Sequence, residues 1–437
     1  MKKTIILINS LLFSLLCGQS YSLEECVQMT LKNKVTVESA KLDVVSAIAG
    51  KKAALSGILP SLSISGSASD GSDMNYQKLT FDGSNLNFQN QTSDAKEWNN
   101  SVILNQPIYD GGNTWRNLTL GKNLISIAEE SERLTRTNVI LSTHRSYFKL
   151  LKNQQLLASA QEDLALADQQ LELVNHQFEL GAVKKTDVLK ARVRLGQAKT
   201  SVIIQNSDLD NAKRELANVM GVLNGGLSFT IKDIDAVIPE APDFDSSLKI
   251  MESKNPSLIM QDFTVNNQEL SYKNAKGSRL PSLSLSGRYN TSAGSSSDLF
   301  SDPSDSWSGQ ITLSYPIFTG FQSSVLSQQA KIDWRTAQND KTNVRDDFRV
   351  QLQAIIDGLE NYKEIIPVLE EVRMAAEEDL KLAQERYALG ATTILEVLDA
   401  QLSVTRARTD LINTTYDALA QDATLKATLG VLDSEFK

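Results

Sequence analysis

Gln384–Gln401 reads QERYALGATTILEVLDAQ, and the chain has nearly said it before, at His176–Arg192, HQFELGAVKKTDVLKAR. At a spacing of 209 residues Phe178 falls on Tyr387, Leu180 on Leu389, Gly181 on Gly390, Val188 on Val397, Leu189 on Leu398 and Ala191 on Ala400. Ahead of the first Leu-Gly-Ala, apolar residues recur in alternating steps of four and three: Ala160, Leu164, Ala167, Leu171, Val174, Phe178. Leu369, Ala376, Leu380, Ala383 and Tyr387 repeat the rhythm ahead of the second. Behind the breaks it continues through Val188, Ala191, Leu195, Ala198, Val202, Leu209, Ala212 and Leu216, and through Val397, Ala400, Val404, Ala407, Leu411, Ala418 and Leu425. Threes and fours in alternation make a coiled-coil seam. Glycine stands where a rising helix must end. Each motif therefore reads as the tip of an antiparallel helical hairpin, one near 181 and one near 390.

The echo runs further. QPIYDGG (Gln106–Gly112) meets YPIFTGF (Tyr315–Phe321), and MGVL at 220–223 meets LGVL at 429–432, all at the same spacing. Upstream, GILPSLSISG (Gly57–Gly66) meets SRLPSLSLSG (Ser278–Gly287) at a spacing of 221. Repeats of this length point to duplication of a whole fold unit, not to a solenoid. Each unit opens with a helix, Leu23 to about Ser56 and about Ser246 to Asn274. LPSL then starts an alternating stretch, with Leu62, Ile64 and Gly66 on one face and Leu283, Leu285, Gly287 and Tyr289 in its counterpart. A second alternating stretch follows a polar loop: Trp98, Val102 and Leu104, then Trp307, Ile311, Leu313 and Tyr315. Period two with one apolar face marks strands. Each unit thus offers one β-hairpin, about 61–107 and 282–316. Beyond them run some 66 residues without a glycine-rich break, a helix of roughly 100 Å. Pro367, within YKEIIPVLEE, predicts a kink or local break in the second.

The chain of 437 residues opens MKKTIILINSLLFSLLCGQSYS, two lysines and a short apolar run ahead of small residues. This is a secretory signal, too short to span a membrane. Leu16 is too bulky for Cys17 to sit in the usual lipobox, so ordinary cleavage after Ser20 or Ser22 is expected. Losing Lys2 and Lys3 moves the net charge from −9 to −11. That acidity argues against a nucleic-acid partner. Cys26 is then the one remaining cysteine and is expected in a core. The boundaries are a signal over 1–22, a first repeat over 23–223, a linker over 224–245, a second repeat over 246–432 and a tail over 433–437.

Four strands cannot close a barrel, and open edges are not tolerated in lipid. Small barrels need about eight strands, so the chain must assemble, and three copies give about twelve. The fold class is mixed and mostly α: long coiled-coil hairpins plus four strands per chain toward a trimeric twelve-stranded transmembrane β-barrel. Trp98, Trp307 and Tyr315 suit an interfacial aromatic belt, and the polar loop from Asp70 to Lys96 faces outward. An exported coiled-coil scaffold or adhesin without a pore is the alternative; it leaves the hairpins' apolar faces uncovered. Catalytic signatures are missing from the sequence, and nothing in it calls for a cofactor. His144 and His176 read as helix-surface residues.

The LPSL strand entries, PI(Y/F)xG exits, doubled LGAxxxxDVL-type tips and the opening LEECVQMTLKNK together resemble the outer-membrane efflux protein family, TolC-like. The resemblance covers Leu23 to Leu432 and implies a homotrimeric channel in outer-membrane lipid. Its helical barrel would extend into the periplasm. It implies two partners, a periplasmic adaptor (membrane fusion) protein docking at the tips Leu180, Gly181, Ala182, Leu389, Gly390 and Ala391, and an inner-membrane transporter, in efflux or type I secretion. It also implies a periplasmic gate. Positions matching Glu396 and Asp399 form acidic constriction rings, and those matching Tyr387 and Asp187 share an inter-hairpin hydrogen bond. Thr392 stands where the best-known member has arginine. Acids at a helix start also suit the macrodipole with no further role. Lys190, the counterpart of Asp399, makes the two tips electrostatically unequal.

Overall fold

The computed structural model describes residues 20–72, 76–83, 85–91, 94–222, 229–234, 237–301 and 303–436. Most of the expected signal, with Cys17, and residues 224–228 and 235–236 of the expected linker lie outside them. The chain divides into two compact units: one takes in residues up to Val44, Ala128–Asp262 and Lys341 onward, the other Val45–Ile127 and Phe263–Asp340.

In chain order the elements are β1 (Ser20–Tyr21), α1 (Leu23–Asn33), α2 (Val35–Ala54), β2 (Ser61–Ser72), β3 (Tyr76–Asp82), β4 (Asn85–Gln91) and β5 (Asp94–Asp110). The long hairpin α3 (Asn113–Glu179) and α4 (Lys185–Val219) follows, then β6 (Thr230–Ile231), α5 (Phe244–Lys254), α6 (Pro256–Gly277) and β7 (Ser282–Ala293). A short α7 (Asp298–Ser301), β8 (Ser304–Ser314) and the second hairpin, α8 (Gln322–Ala388) and α9 (Ile394–Leu429), complete the chain.

The second unit holds an antiparallel sheet in the order β2-β5-β7-β8. Alternation fixes its register. Ile64, Val102, Tyr289 and Trp307 lie across one row, and Leu62, Leu104, Gly287 and Gly309 across another. The two hairpins pair alike: shifting Ser61↔Asn105 by the two repeat spacings gives Ser282↔Ser314. Among the described residues, the outer edges of β2 and β8 pair with nothing, and the apolar row is largely exposed. The segment expected as a polar loop is corrected. β2 extends to Ser72, β5 starts at Asp94, and β3 pairs with β4 about Gly83 (φ +59). Leu79 stands opposite Phe88 and Phe81 opposite Leu86, a period-two pattern concealed by the Asn, Gln and Asp around it. Tyr315 falls just beyond β8. Where β5 hands over to α3, Gly111 takes φ +71, and a Cβ there would run into the carbonyl of Gly277. Arg116 ties the same junction, donating to Asn274 Oδ1 at 2.7 Å and to the Gly111 carbonyl at 2.7 Å.

The first unit is helical. Both rising helices are 67 residues long, and the returning ones 35 and 36. Much of the seam is buried, from Ala160, Ala167 and Val174 through Val188, Ala191 and Ala198, while Leu164, Leu171, Val202, Leu209, Leu369, Ala376 and Leu411 are half-buried. Phe178 departs from it, lying exposed with Lys185 Nζ over its ring at 5.1 Å. Three expectations change here. The opening helix of each repeat is two helices, broken at Lys34 and at Asn255, where the backbone is extended. These breaks are 221 residues apart, the spacing of the LPSL motifs. Second, of the kink or local break expected at Pro367, the break does not occur: α8 runs as one helix through that residue. Pro367 and Lys363 are both exposed, so water can satisfy the carbonyl that proline leaves without its donor. Third, His144 is buried, its ring edge-on to Phe148 and Phe436, whereas His176 is exposed as expected.

Tyr21 and Ser22, read as the last residues of the signal, belong to this unit's structure. Tyr21 is buried, and its carbonyl accepts from Lys232 N–H at 2.8 Å. Ser22 caps α1 and forms a reciprocal capping box with Glu25. Cleavage after Ser20 keeps these contacts; cleavage after Ser22 removes them. Cys26 is fully buried, and burial pushes its thiol up to about 12.

Candidate functional site

Both Leu-Gly-Ala motifs close their rising helices in the same way. Gly181 and Gly390 take φ +74 and +71, in the left-handed region that disfavours side chains. Ala182 N–H reaches back to the Gln177 carbonyl and Ala391 N–H to that of Arg386, each at 2.8 Å. These six-to-one bonds satisfy carbonyls that the helix end leaves free. Nothing lies within 4 Å of a Cβ built at either glycine. Leu180 and Leu389 therefore project at the two tips, each 83 % exposed.

The acids six residues beyond the glycines differ in employment. The Asp187 carboxylate accepts from Lys184 N–H at 3.3 Å, holding the first turn of α4. Glu396 begins α9 but faces Arg386 across the turn at 3.7 Å. With both side chains more than half exposed, that pair contributes little to stability. Asp399, one turn further, lines a groove of about 420 Å³ between α4 and α9, with Lys190 and Arg194 on the opposite wall. The equivalent positions Lys190 and Asp399 thus face the same groove with opposite charge, amid Leu189, Val193, Leu395 and Leu402.

The two tips pack against each other. Val174, Val188 and Ala191 of the first hairpin share one apolar cluster with Leu380, Tyr387, Ile394 and Val397 of the second. Beside it opens a cleft of about 760 Å³, lined by Gln177, Asp187, Lys190, Tyr387 and Thr392 among others. Tyr387 is 5 % exposed, and its hydroxyl has no hydrogen-bond partner. Gln177 Oε1 and Thr392 Oγ1, also in this lining, are likewise without partners. Burial, and next the nearby Asp187 carboxylate, raise the Tyr387 phenol above its ordinary range. The structure therefore brings Tyr387 and Asp187 to one cleft without a hydrogen bond between them in the single chain. Gln177 and Arg386 were not singled out from sequence. Both follow from the turn geometry, each four residues before its glycine.

Below the tips, Arg194 holds the first hairpin together, donating to both Asp163 oxygens at 2.6 and 2.8 Å. Arg408 joins the hairpins, donating to Glu377 at 2.9 Å and to Glu162 at 2.6 Å. In the sheet, Trp98 stands opposite Ala68 and Ala293, and Trp307 opposite Tyr289.

A family model described as outer membrane efflux protein matches residues 26–222 and 248–431. The outer membrane protein TolC of Salmonella enteritidis is 26 % identical over 357 residues, 78 % of this chain and 70 % of that protein. TolC of Escherichia coli K12 is 25 % identical over 358 residues, 77 % and 70 % of the respective chains. The solved outer membrane protein VceC of Vibrio cholerae shares the fold with a TM-score of 0.81 at 16 % identity, covering 93 % of this chain and 96 % of that one.

Proposed function

Because the chain belongs to the outer membrane efflux protein family, we propose that it is the exit duct of a tripartite efflux or type I secretion system. It passes substrates from an inner-membrane transporter and a periplasmic adaptor out of the cell. The duct is a homotrimer seated in outer-membrane lipid. Each copy contributes one duplicated unit's worth of strands twice over, and two helical hairpins to the periplasmic mouth. The observation that carries this reading is the four-stranded sheet, with two free edges and an exposed apolar row running Ile64, Val102, Tyr289, Trp307. Such a sheet is stable in lipid only when closed. Trp98, Trp307 and Tyr315 supply its interfacial aromatics.

The adaptor docks at Leu180, Gly181, Ala182, Leu389, Gly390 and Ala391, where both tips present a bare leucine beside a compact turn. The mouth rests closed. The unpartnered Tyr387 hydroxyl donates to Asp187 of a neighbouring hairpin, a charge-assisted bond worth ~1.5–3 kcal/mol when shielded. Thr392, in place of arginine, leaves this bond as the principal one. The test is size in mild detergent followed by single-channel recording. The expected results are about three chains, a low-conductance wild type, and higher conductance for Tyr387→Phe with Asp187→Ala. A membrane-embedded monomer overturns the duct; unchanged conductance in the double variant overturns the gate.

A further inference from the structure

We infer that Arg288, at the middle of β7, is an oxyanion contact on the inner wall of the duct, taking carboxylate, sulfonate or phosphate groups of what passes through. The inference rests on the duct reading above and names a substrate chemistry for its β-sheet part.

The two faces of the sheet carry it. Tyr289 belongs to the apolar row with Ile64, Val102 and Trp307, the side turned to lipid once the sheet is closed. Arg288 is its neighbour in sequence and lies on the opposite face, in the row Ser63, Ile103, Arg288, Ser308. That face is polar and nearly free of charge. β2 places Ser61, Ser63, Ser65, Ser67 and Ser69 there, and β5, β7 and β8 continue with Ser, Asn, Thr and Gln around Ile103. Its acids stand toward the strand ends. Glu97 is level with residue 294 and Asp110 is opposite Ser282, each six residues from the row of Arg288, or ~20 Å along the strands. Asp110 is also occupied, accepting from Thr114 N–H at 2.7 Å.

Arg288 is exposed, and its guanidinium has no hydrogen bond or ion pair among the described residues. The sheet treats its other cation differently: Lys96, on the face of Ile64, stands opposite Asp70 with 3.6 Å between the charged atoms. A cation held for the sheet's own stability sits beside a cross-strand acid in this way. Around Arg288 the neighbours are Ser286 and Asn290 along β7 and Ser308 across from it, which offer hydrogen bonds and no competing charge. The planar fork of a guanidinium matches two oxygens of a carboxylate or phosphate, and here no internal counter-ion has to be displaced first.

Cysteine reporters in full-length protein, in isolated outer membranes, test the contact; Cys26 is fully buried and stays in place. Ser308→Cys sits across from Arg288. Gly309→Cys, with nothing within 4 Å of a Cβ there, lies on the lipid face. An anionic and a cationic methanethiosulfonate should both modify Ser308→Cys and leave Gly309→Cys unmodified. At low salt, adding Arg288→Gln to Ser308→Cys should lower the anionic-to-cationic rate ratio about threefold, the Coulomb effect of one charge at ~6 Å in water. Arg288→Lys should preserve most of it. Inorganic pyrophosphate at matched ionic strength should slow the anionic reagent with Arg288 present and not with Arg288→Gln. Modification of Gly309→Cys in place of Ser308→Cys, an unchanged ratio, or an equal pyrophosphate effect in both proteins overturns the contact. The duct reading stands through those outcomes as long as the protein is oligomeric in mild detergent; a monomer there overturns both.

Discussion

His144 is 7 % exposed between the ring edges of Phe148 and Phe436, with centroids at 5.8 and 5.7 Å. Its Nε2 is buried without a partner. Burial, and then the facing charge of Lys426, push its pKa down to about 4; Lys426 is itself held by Asp422 and Glu435. The folded chain therefore carries a neutral imidazole that the unfolded chain protonates near ~6.5. The stability this gives is complete above that value and is lost as pH falls toward 4, amounting to about 2 kcal/mol by pH 5. Denaturation at pH 8 and pH 5 should show this loss in the wild type and a smaller one in His144→Phe, which keeps the edge-on packing. Equal pH dependence in the two proteins would refute it. The site was invisible to periodicity because α3 packs on more than one side along its upper length, where Ser146, Tyr147, Phe148, Leu150 and Leu151 are buried as well as His144, so no single stripe marks the core. Tyr387 was legible as a seam residue, but its orphaned hydroxyl was not, since spacing alone does not fix a side chain's hydrogen-bond partners.

At the scale of elements, the long hairpins were legible because a seam of threes and fours ending in glycine admits few other folds. The breaks at Lys34 and Asn255 were not, although Asn-Pro at 255–256 is a start signal with a mechanism. Asn255 is buried, its side chain accepting from Ser257 N–H at 2.8 Å and Leu258 N–H at 3.3 Å while donating to the Thr428 carbonyl at 2.8 Å. It thus starts α6 and ties that start to the end of α9. At Lys34 the chain reaches the same bend with a longer contact, Lys34 Nζ to the Asn218 carbonyl at 3.2 Å, and no Asx signature announces it. Asn255→Ala should cost about 2 kcal/mol, the upper end for a cap, because it also strips a donor from a buried carbonyl. Lys34→Ala, at an exposed bond, should cost under ~0.5 kcal/mol. Equilibrium denaturation of both variants checks the contrast, and equal losses would mean the two bends are held by packing alone. The β3–β4 hairpin escaped the reading for the opposite reason: its composition is that of a loop, and only its alternation is that of strands.

At the scale of the whole molecule, the role proposed for the tip acids depends on the proposed trimer. One copy offers Glu396 and Asp399 a turn apart, each with a cation nearby: Arg386 at 3.7 Å from Glu396, and Lys190 in the groove that Asp399 lines. In isolation these read as helix-start residues with partial neutralisation, and the macrodipole accounts for Glu396. Around the axis of the proposed trimer the same residues would become about six carboxylates at the narrowest part of the proposed duct, where low-dielectric walls would focus their field. The cations temper the ring unequally, since the exposed Arg386–Glu396 pair is screened by salt while Lys190 shares a partly apolar groove with Asp399. Glu396→Ala with Asp399→Ala should therefore weaken cation selectivity and block by trivalent metal ions in planar bilayers. Lys190→Gln should strengthen both, by freeing Asp399 from its facing charge. Arg386→Gln should act in the same direction, chiefly at low ionic strength. Unchanged selectivity and block in both the Glu396/Asp399 and Lys190 variants would leave the acids as helix-start residues and move the constriction elsewhere along the duct.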